Sequence, residues 1–98
     1  MTQAKLVLEK DVEKKVRDWA QKNGLLSIKL SSQHSRGQPD RMFLNTKGQV
    51  MFIEFKKPGG QPTKLQEMWL ETLEERGFVV MLCDDPDAGI LALREKLL

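Results

Sequence analysis

Two charged residues, Glu54 and Lys56, interrupt the clearest strand-like segment of this sequence, VMFIEFK. Side chains two residues apart on a β-strand point to the same side, so a carboxylate and an ammonium group share one face of that segment. Desolvating both charges costs free energy unless they pair, bind a metal ion or face a cleft. The two residues are therefore either an ion pair at the solvent-facing end of a strand or part of a reactive site.

A second carboxylate, Asp40, begins the preceding predicted strand and directly follows Gly37-Gln38-Pro39. Proline fixes φ, lacks an N–H group and favours extended geometry in the residue before it, so this segment delivers the carboxylate rigidly at the strand entrance. Taken alone, an Asp in this position is more often a turn or cap residue. If the two strands pair as a hairpin, however, Asp40 and Glu54 can approach closely enough to hold one ion.

Two carboxylates and a backbone carbonyl form a hard oxygen site, which suits Mg²⁺ or Mn²⁺ and suits zinc poorly. A lysine beside such an ion can stabilise negative charge at phosphorus, or hold the attacking water and help to deprotonate it. The ion itself would polarise the phosphate and lower the pKa of that water. Asp40, Glu54 and Lys56 together therefore predict metal-assisted hydrolysis of a phosphodiester bond.

The elements that must position these residues follow the order α-β-β-β-α-β-α. Apolar residues at three- and four-residue spacing predict three helices, and apolar runs bounded by glycine and proline predict four strands. A short turn that contains glycine separates the second and third strands, which predicts a hairpin. The predicted helices are 6–22, 63–76 and a short one from Pro86, and the predicted strands are 25–32, 39–45, 50–56 and 78–84.

The bulk composition permits a nucleic-acid partner without demanding one. The chain has 98 residues, 31% of them charged, and a formal net charge of only +2, which predicts one globular domain over residues 1–98. No apolar run is long enough to span a bilayer, the N-terminal segment lacks signal-peptide features, and Cys83 is the only cysteine. We therefore expect a protein of the cytoplasm or another reducing intracellular compartment, neither secreted nor membrane-bound.

The arrangement of Pro39-Asp40 and Glu54-Phe55-Lys56, with 13 residues between the two carboxylates, resembles the signature of the PD-(D/E)xK nuclease superfamily. The longer strings GQPDRMFL and VMFIEFKKPGGQPTKLQ, followed by LEERGFVVMLCDD, resemble a stand-alone VRR-NUC (virus-type replication–repair nuclease) domain. The similarity covers roughly residues 9 to 90. A bare PD…ExK pattern occurs by chance, whereas this ordered set of motifs on this order of elements is far more specific.

The resemblance implies a restriction-endonuclease-like α/β core, with a mixed, mainly antiparallel sheet of four strands flanked by helices. It also implies roles for individual residues. Asp40 and Glu54 match the two metal-binding carboxylates, the Phe55 backbone carbonyl a further metal ligand, and Lys56 the catalytic lysine. Gln66 matches a glutamine that the family places beside the active site, although it also fits an ordinary surface residue of a helix.

The family also takes an acidic residue from the first helix, and both Glu9 and Glu13 are candidates. On a helical wheel, these two glutamates fall on one edge of the apolar stripe. Glu13 is preferred, because its distance to the helix-ending Asn23-Gly24 better matches that in related resolvases. Glu9 remains the alternative metal ligand.

Several basic and aromatic residues are candidates for contact with DNA. Those that surround the proposed metal site are the better predictions for phosphate contacts, namely Arg36, Arg41, Lys57 and Lys64. The basic run Lys5, Lys10, Lys14 and Lys15 is interpreted mainly as a solvated helix face.

His34, the sole histidine, is expected to be exposed or to contact a phosphate. Trp19 and Trp69 are predicted to be core residues of their helices rather than platforms for base stacking.

The sequence as a whole predicts an Mg²⁺- or Mn²⁺-dependent DNA endonuclease with no organic cofactor, which leaves 5′-phosphate ends as the superfamily usually does. Stand-alone VRR-NUC domains resemble Holliday-junction resolvases, which act as homodimers, so we expect a homodimer that selects branched DNA. A less selective nickase or flap endonuclease is the near alternative. A non-catalytic DNA-binding module with the same fold is the alternative of another class.

Overall fold

The structure, a computed structural model, describes residues 6–30 and 36–98. The predicted order of elements is confirmed. The elements are α1 (Glu9–Lys22), β1 (Leu26–Lys29), β2 (Arg41–Leu44), β3 (Val50–Phe55), α2 (Lys64–Glu75), β4 (Val79–Cys83) and α3 (Pro86–Leu97). None of the helices in this described part is both long enough and apolar enough to cross a membrane.

The four strands form one sheet in the order β1-β2-β3-β4. Strands β1, β2 and β3 pair antiparallel as a meander, and β4 joins β3 in parallel after the crossover through α2. The predicted hairpin and the mixed, mainly antiparallel sheet are therefore both confirmed. In the hairpin Arg41 lies opposite Ile53, which places Asp40, one residue earlier, beside the end of β3.

The hydrophobic core lies on the sheet face that α1 and α3 cover. Along α1 the fully buried residues recur every four positions, as an amphipathic helix requires. The core comprises Val12, Val16, Ala20, Leu25, Phe43, Met51, Ile53, Phe55, Cys83, Leu93 and Leu97. Trp19 is partly buried against this cluster, as predicted, and Cys83 is a free, buried thiol at the end of β4.

The first helix and the first strand are shorter than the sequence predicts. Helix α1 begins at Glu9 rather than near Leu6, because the Leu8 N–H group donates to Asp11 Oδ2 at 2.9 Å and thereby caps the helix. Strand β1 is Leu26–Lys29, whereas 25–32 was expected. The last two residues of that prediction, and His34 with its predicted exposure or phosphate contact, lie outside the described residues.

The second sheet face is covered less completely than apolar patterning predicts. Helix α2 packs against β4 and has no fully buried residue, and Met68 is 52% exposed. At the opposite edge of the sheet, the β1 residues Leu26 and Ile28 are 60% and 37% exposed. The expectation that Trp69 is a core residue is therefore wrong in part: its ring is partly buried, and its indole N–H donates to the Arg36 carbonyl at 2.9 Å.

The loop before β2 is clamped against α2 at Gly37. This residue has φ of +81°, and a Cβ atom placed there would lie 2.6 Å from Leu65 Cγ and 3.0 Å from the Leu65 backbone carbon. Only glycine adopts this φ without strain and also leaves room for the helix. Since Pro39 is fully buried two residues later, the clamp fixes the entry of the chain into Asp40.

We expect Gly37→Ala to lower the free energy of unfolding by about 2–5 kcal/mol, because left-handed strain of roughly 1–2 kcal/mol adds to overpacking of roughly 1–3 kcal/mol against Leu65. Gly24→Ala is the matched control, since Gly24 has φ of +79° and no atom within 4 Å of its added Cβ. Urea denaturation of both variants isolates the contact with α2. Equal losses of stability in the two variants would contradict the clamp.

Candidate active site

Asp40 and Glu54 lie together where β2 begins and β3 ends. By strand alternation, Asp40, Glu54 and Lys56 belong to the sheet face that α2 partly covers. The Asp40 carboxylate is fixed by the backbone of β3, because the Phe55 N–H group donates to Asp40 Oδ2 at 2.8 Å. The hairpin thus brings the two carboxylates together as their spacing suggested.

Glu54 is a buried carboxylate with incomplete hydrogen bonding. Only 2% of the residue is exposed. Its Oε1 atom accepts a hydrogen bond from Gln66 Nε2 at 3.0 Å and lies 4.0 Å from Lys56 Nζ. Its Oε2 atom is buried and has no hydrogen-bond partner among the described residues. A buried, half-satisfied carboxylate is costly, so this oxygen is available for another ligand.

Both carboxyl groups resist ionisation in the absence of a cation. Burial is the largest cause that raises the pKa of Glu54 to about 8, and the negative charge of Asp40 is the next, while Lys56 offsets part of the shift. Burial also raises the pKa of Asp40, against the hydrogen bond from the Phe55 N–H group. The site therefore combines desolvation with like-charge repulsion, the combination that a bound cation would relieve.

Helix α2 delivers Gln66 through a reciprocal capping box. The Thr63 hydroxyl accepts from the Gln66 N–H group at 3.1 Å, and Gln66 Oε1 accepts from the Thr63 N–H group at 2.9 Å. The oxygen of the Gln66 amide is thereby committed to the helix N-terminus, and its nitrogen is left to donate to Glu54. The T-x-x-Q spacing of Thr63 and Gln66 is the sequence signal for this arrangement.

Lys56 is positioned by the parallel pairing of β3 with β4. Its N–H group donates to the Cys83 carbonyl at 2.9 Å, so its side chain is held on the face occupied by Glu54. The glycine-rich loop that follows is tied to the end of β4, because the Gly59 N–H group donates to Asp84 Oδ2 at 3.0 Å. The ammonium group therefore lies at the open end of the sheet beside the two carboxylates.

Glu13 and Glu9 approach the site from α1. The negative charge of Glu13 raises the pKa of Asp40, and that of Glu9 is a minor contribution that raises the pKa of Glu54. Glu13 Oε2 accepts from Arg41 Nε at 2.6 Å. Within residues 6–30 and 36–98, no three His, Cys, Asp or Glu side chains form a cluster that could hold an ion. The role of Glu13 or Glu9 as a metal ligand therefore stays a prediction.

The four candidate phosphate contacts fall into two classes. Arg36, Lys57 and Lys64 are exposed. Arg41 is only 8% exposed and is held by Glu13 and by Ser27 Oγ, the latter at 3.0 Å from Nη1. Arg41 therefore differs from the other three residues, because its guanidinium group is largely buried.

The oxygen donors at this end of the sheet fit a hard divalent cation. Glu54 Oε2 has no hydrogen-bond partner among the described residues, and Asp40 is fixed beside it. In a strand the N–H and C=O groups of one residue point to the same side, so the Phe55 carbonyl faces the same edge as the N–H group that binds Asp40. Two carboxylates and a carbonyl are ligands that Mg²⁺ or Mn²⁺ prefers over softer donors.

Comparison with known proteins agrees with this geometry. Residues 6–85 match the VRR-NUC domain family. The chain is similar to "Putative nuclease p44" of Acyrthosiphon pisum secondary endosymbiont phage 1, with 32% identity over 83 residues, which cover 85% of this chain and 89% of the relative.

Two solved structures share the fold. A protein described as "VRR_NUC domain" superposes with a TM-score of 0.78 at 26% identity, covering 89% of this chain and 94% of that one. A "VRR_NUC domain protein" superposes with a TM-score of 0.76 at 18% identity, covering 94% and 89% of the two chains, and it supports the fold alone. The match over residues 6–85, the related phage protein and the arrangement around Glu54 lead to one conclusion: this chain belongs to the VRR-NUC family of nucleases.

Proposed function

We propose that the chain, as a single domain over residues 1–98, is an endonuclease that hydrolyses DNA phosphodiester bonds with Mg²⁺ or Mn²⁺. The observation that carries this proposal is the buried Glu54 carboxylate, which lies next to Asp40. Among the described residues, its Oε2 atom has no hydrogen-bond partner. Such an arrangement is unfavourable without a cation and favourable with one. The buried, free Cys83 fits work in the cytoplasm or another reducing compartment.

The residues of the site would have different roles in hydrolysis. Asp40, Glu54 and the Phe55 carbonyl would hold the divalent ion, with Glu13 or Glu9 as a further acidic ligand. The ion would supply charge that polarises the phosphate and acidifies water. Lys56 donates its N–H groups to the attacking water or to phosphate oxygens as negative charge builds there. Gln66 keeps Glu54 in one orientation, and the products carry 5′-phosphate ends.

Removal of the ammonium group or of one carboxylate should strongly slow cleavage without unfolding the protein. We expect Lys56→Ala and Asp40→Ala each to lower the rate of DNA cleavage by about 10²–10⁴-fold, the contribution typical of a positioned proton-transfer or charge-stabilising group. Labelled duplex DNA with Mn²⁺ is the assay, and circular dichroism checks the fold. Lys47→Ala, in the exposed turn at the far end of the hairpin, is the control and should cleave normally. Full activity in a folded Lys56→Ala protein would contradict the mechanism.

The raised pKa of Glu54 predicts how stability depends on pH. Because the pKa of about 8 exceeds the ordinary value, the folded, cation-free protein binds the proton more tightly than the unfolded chain does. Its free energy of unfolding should therefore fall as pH rises from about 4.5 to 8. Glu54→Gln keeps the shape without the charge, so it should show a smaller decline, since only the raised pKa of Asp40 remains. It should be the more stable protein at pH 8, by on the order of a few kcal/mol.

Urea denaturation in EDTA between pH 4.5 and 8.5 measures this difference. Addition of Mn²⁺ should then stabilise the unmodified protein, most strongly near pH 8, and leave Glu54→Gln little changed, because a ligand that binds only the folded state raises its stability. Parallel pH profiles for the two proteins in EDTA would show that Glu54 ionises normally. Equal stabilisation by Mn²⁺ would exclude Glu54 as a ligand.

The proposed substrate is branched DNA, cut by a homodimer. Exposed and half-buried apolar residues on the sheet face that α2 covers only in part support this proposal. Ile28, Met42 and Phe52 are neighbours in one row across β1, β2 and β3, and Leu26 lies in the next row. An apolar surface of this kind favours association, and a second copy would provide two sites for paired incision of a junction.

The substitution Leu26→Asp should give a monomer that nicks duplex DNA but makes no paired incisions in a four-way junction. Leu91→Asp is the matched control, because Leu91 is half exposed on α3, which covers the other sheet face. Sedimentation gives the oligomeric state, and a labelled junction beside a linear duplex gives the selectivity. Equal cutting of both substrates by the unmodified chain would favour a nickase or flap endonuclease. Binding without cutting under Mg²⁺ or Mn²⁺ would favour a non-catalytic module.

A further inference from the structure

A basic cleft, separate from the carboxylate site, lies between one edge of α1 and strands β1 and β2. Its volume is about 380 Å³, which is sufficient for a phosphate group with bound water. Five of its lining side chains are cationic, namely Lys10, Lys14, Arg17, Lys29 and Arg41. Asp11 and Glu13 also line it. We call this feature the α1–β1 cleft.

Charge is concentrated in this cleft because helix spacing aligns the cations. Residues 10, 14 and 17 are four and three positions apart, which places them on one stripe of α1. Lys14 and Arg17 share a single carboxylate, that of Asp18. Lys10 and Lys29 have no ion-pair partner within residues 6–30 and 36–98. An excess of positive charge therefore remains in the cleft after the local pairs are formed.

The base of the cleft is a built site rather than a set of mobile surface lysines. Arg41 is nine-tenths buried, and its guanidinium is oriented by Glu13 Oε2 and Ser27 Oγ. A planar guanidinium fixed in this way retains further N–H groups, and such groups match the geometry of phosphate oxygens. Asp11 is already engaged, because its carboxylate accepts from the Leu8 N–H group.

The cleft adjoins the carboxylate site along the chain and across the sheet. Arg41 follows Asp40 directly, and Lys29 is the register partner of Arg41 on the edge strand β1. The Leu30 N–H group donates to the Asp40 carbonyl at 2.8 Å, so the end of β1 is fixed to the residue that bears the carboxylate. By strand alternation the side chains of Arg41 and Lys29 lie on the opposite sheet face from that of Asp40. A DNA strand held at the carboxylate site would therefore reach the cleft by passing around this end of the sheet.

We propose that the α1–β1 cleft binds a backbone phosphate of the substrate DNA next to the bond that is cut. This inference rests on the proposed function for the identity of the substrate, but the cationic residues of the cleft are different from those that would hold the ion. The cleft positions the duplex and reads no bases, because its side chains offer charge and N–H donors that suit phosphate oxygens.

The test is the salt dependence of DNA binding by Lys10→Gln/Lys29→Gln. Both side chains are exposed, so the fold should be retained. Affinity for a short duplex would be measured in EDTA between 50 and 300 mM salt. Each phosphate contact that is lost should reduce the slope of log K against log salt by about 0.9. We therefore expect a slope smaller by about 1 to 2 and an affinity roughly tenfold lower near 0.1 M salt.

The matched control is Lys47→Gln/Lys96→Gln, which removes the same charge from exposed lysines away from the cleft. If both double variants lose affinity equally, the effect is one of net charge and the cleft proposal is overturned. If neither loses affinity, the proposal is overturned as well. Loss confined to Lys10→Gln/Lys29→Gln supports it.

Cleavage by the unmodified chain with Mn²⁺, run in parallel, separates this inference from the proposed function. If the unmodified chain cleaves DNA but Lys10→Gln/Lys29→Gln has an unchanged salt slope, the cleft proposal is contradicted and the nuclease proposal stands. If the double variant shows the expected smaller slope but the unmodified chain does not cleave DNA, the cleft proposal stands and the nuclease proposal is contradicted. Absence of any DNA binding by the unmodified chain would overturn both.

Discussion

The desolvation of Glu54 is the constraint on which the rest of this end of the molecule depends. A carboxylate on a central strand, 2% exposed and beside a second carboxylate, would be strongly destabilising if left alone. Its neighbours offset that cost only in part: Gln66 donates one hydrogen bond, Lys56 contributes positive charge at 4.0 Å, and the Phe55 N–H group fixes Asp40. The remaining unfavourable energy is the physical reason to expect a cation there.

Helix α2 is attached to the fold as much by polar contacts as by apolar packing. None of its residues is fully buried. Its Trp69 indole bonds the Arg36 carbonyl, its Leu65 packs on Gly37, and its Gln66 bonds Glu54. The contacts that dock the helix are therefore largely those that shape the site. Loss of the Gln66 amide or an added side chain at Gly37 would loosen α2, so stability and site geometry are coupled in this small chain.

The sequence was sufficient for the parts of the structure that local patterns determine. Periodicity gave the order of elements, and the G-x-P-D and E-x-K segments on paired strands gave Asp40, Glu54 and Lys56 as neighbours. The ion pair between Glu13 and Arg41 joins residues 28 positions apart, and no local pattern encodes such a pairing. The exposure of Leu26 and Ile28 is likewise not encoded by a local pattern. Alternation predicts an apolar strand face, but only the docking position of α2 decides whether that face is covered.

The three stripes of α1 show how one helix can serve two charge requirements at once. Val12, Val16 and Ala20 bury one stripe in the core, which fixes the rotation of the helix. Glu9 and Glu13 then lie about 100° away from Lys10 and Lys14, so the acidic edge faces the carboxylate site and the basic edge faces the α1–β1 cleft. A site that cuts a polyanion needs negative ligands for its cation and positive groups for the flanking phosphates, without mutual neutralisation. The Glu13–Arg41 pair links the two regions, because both side chains line the α1–β1 cleft and Glu13 also lies close enough to raise the pKa of Asp40.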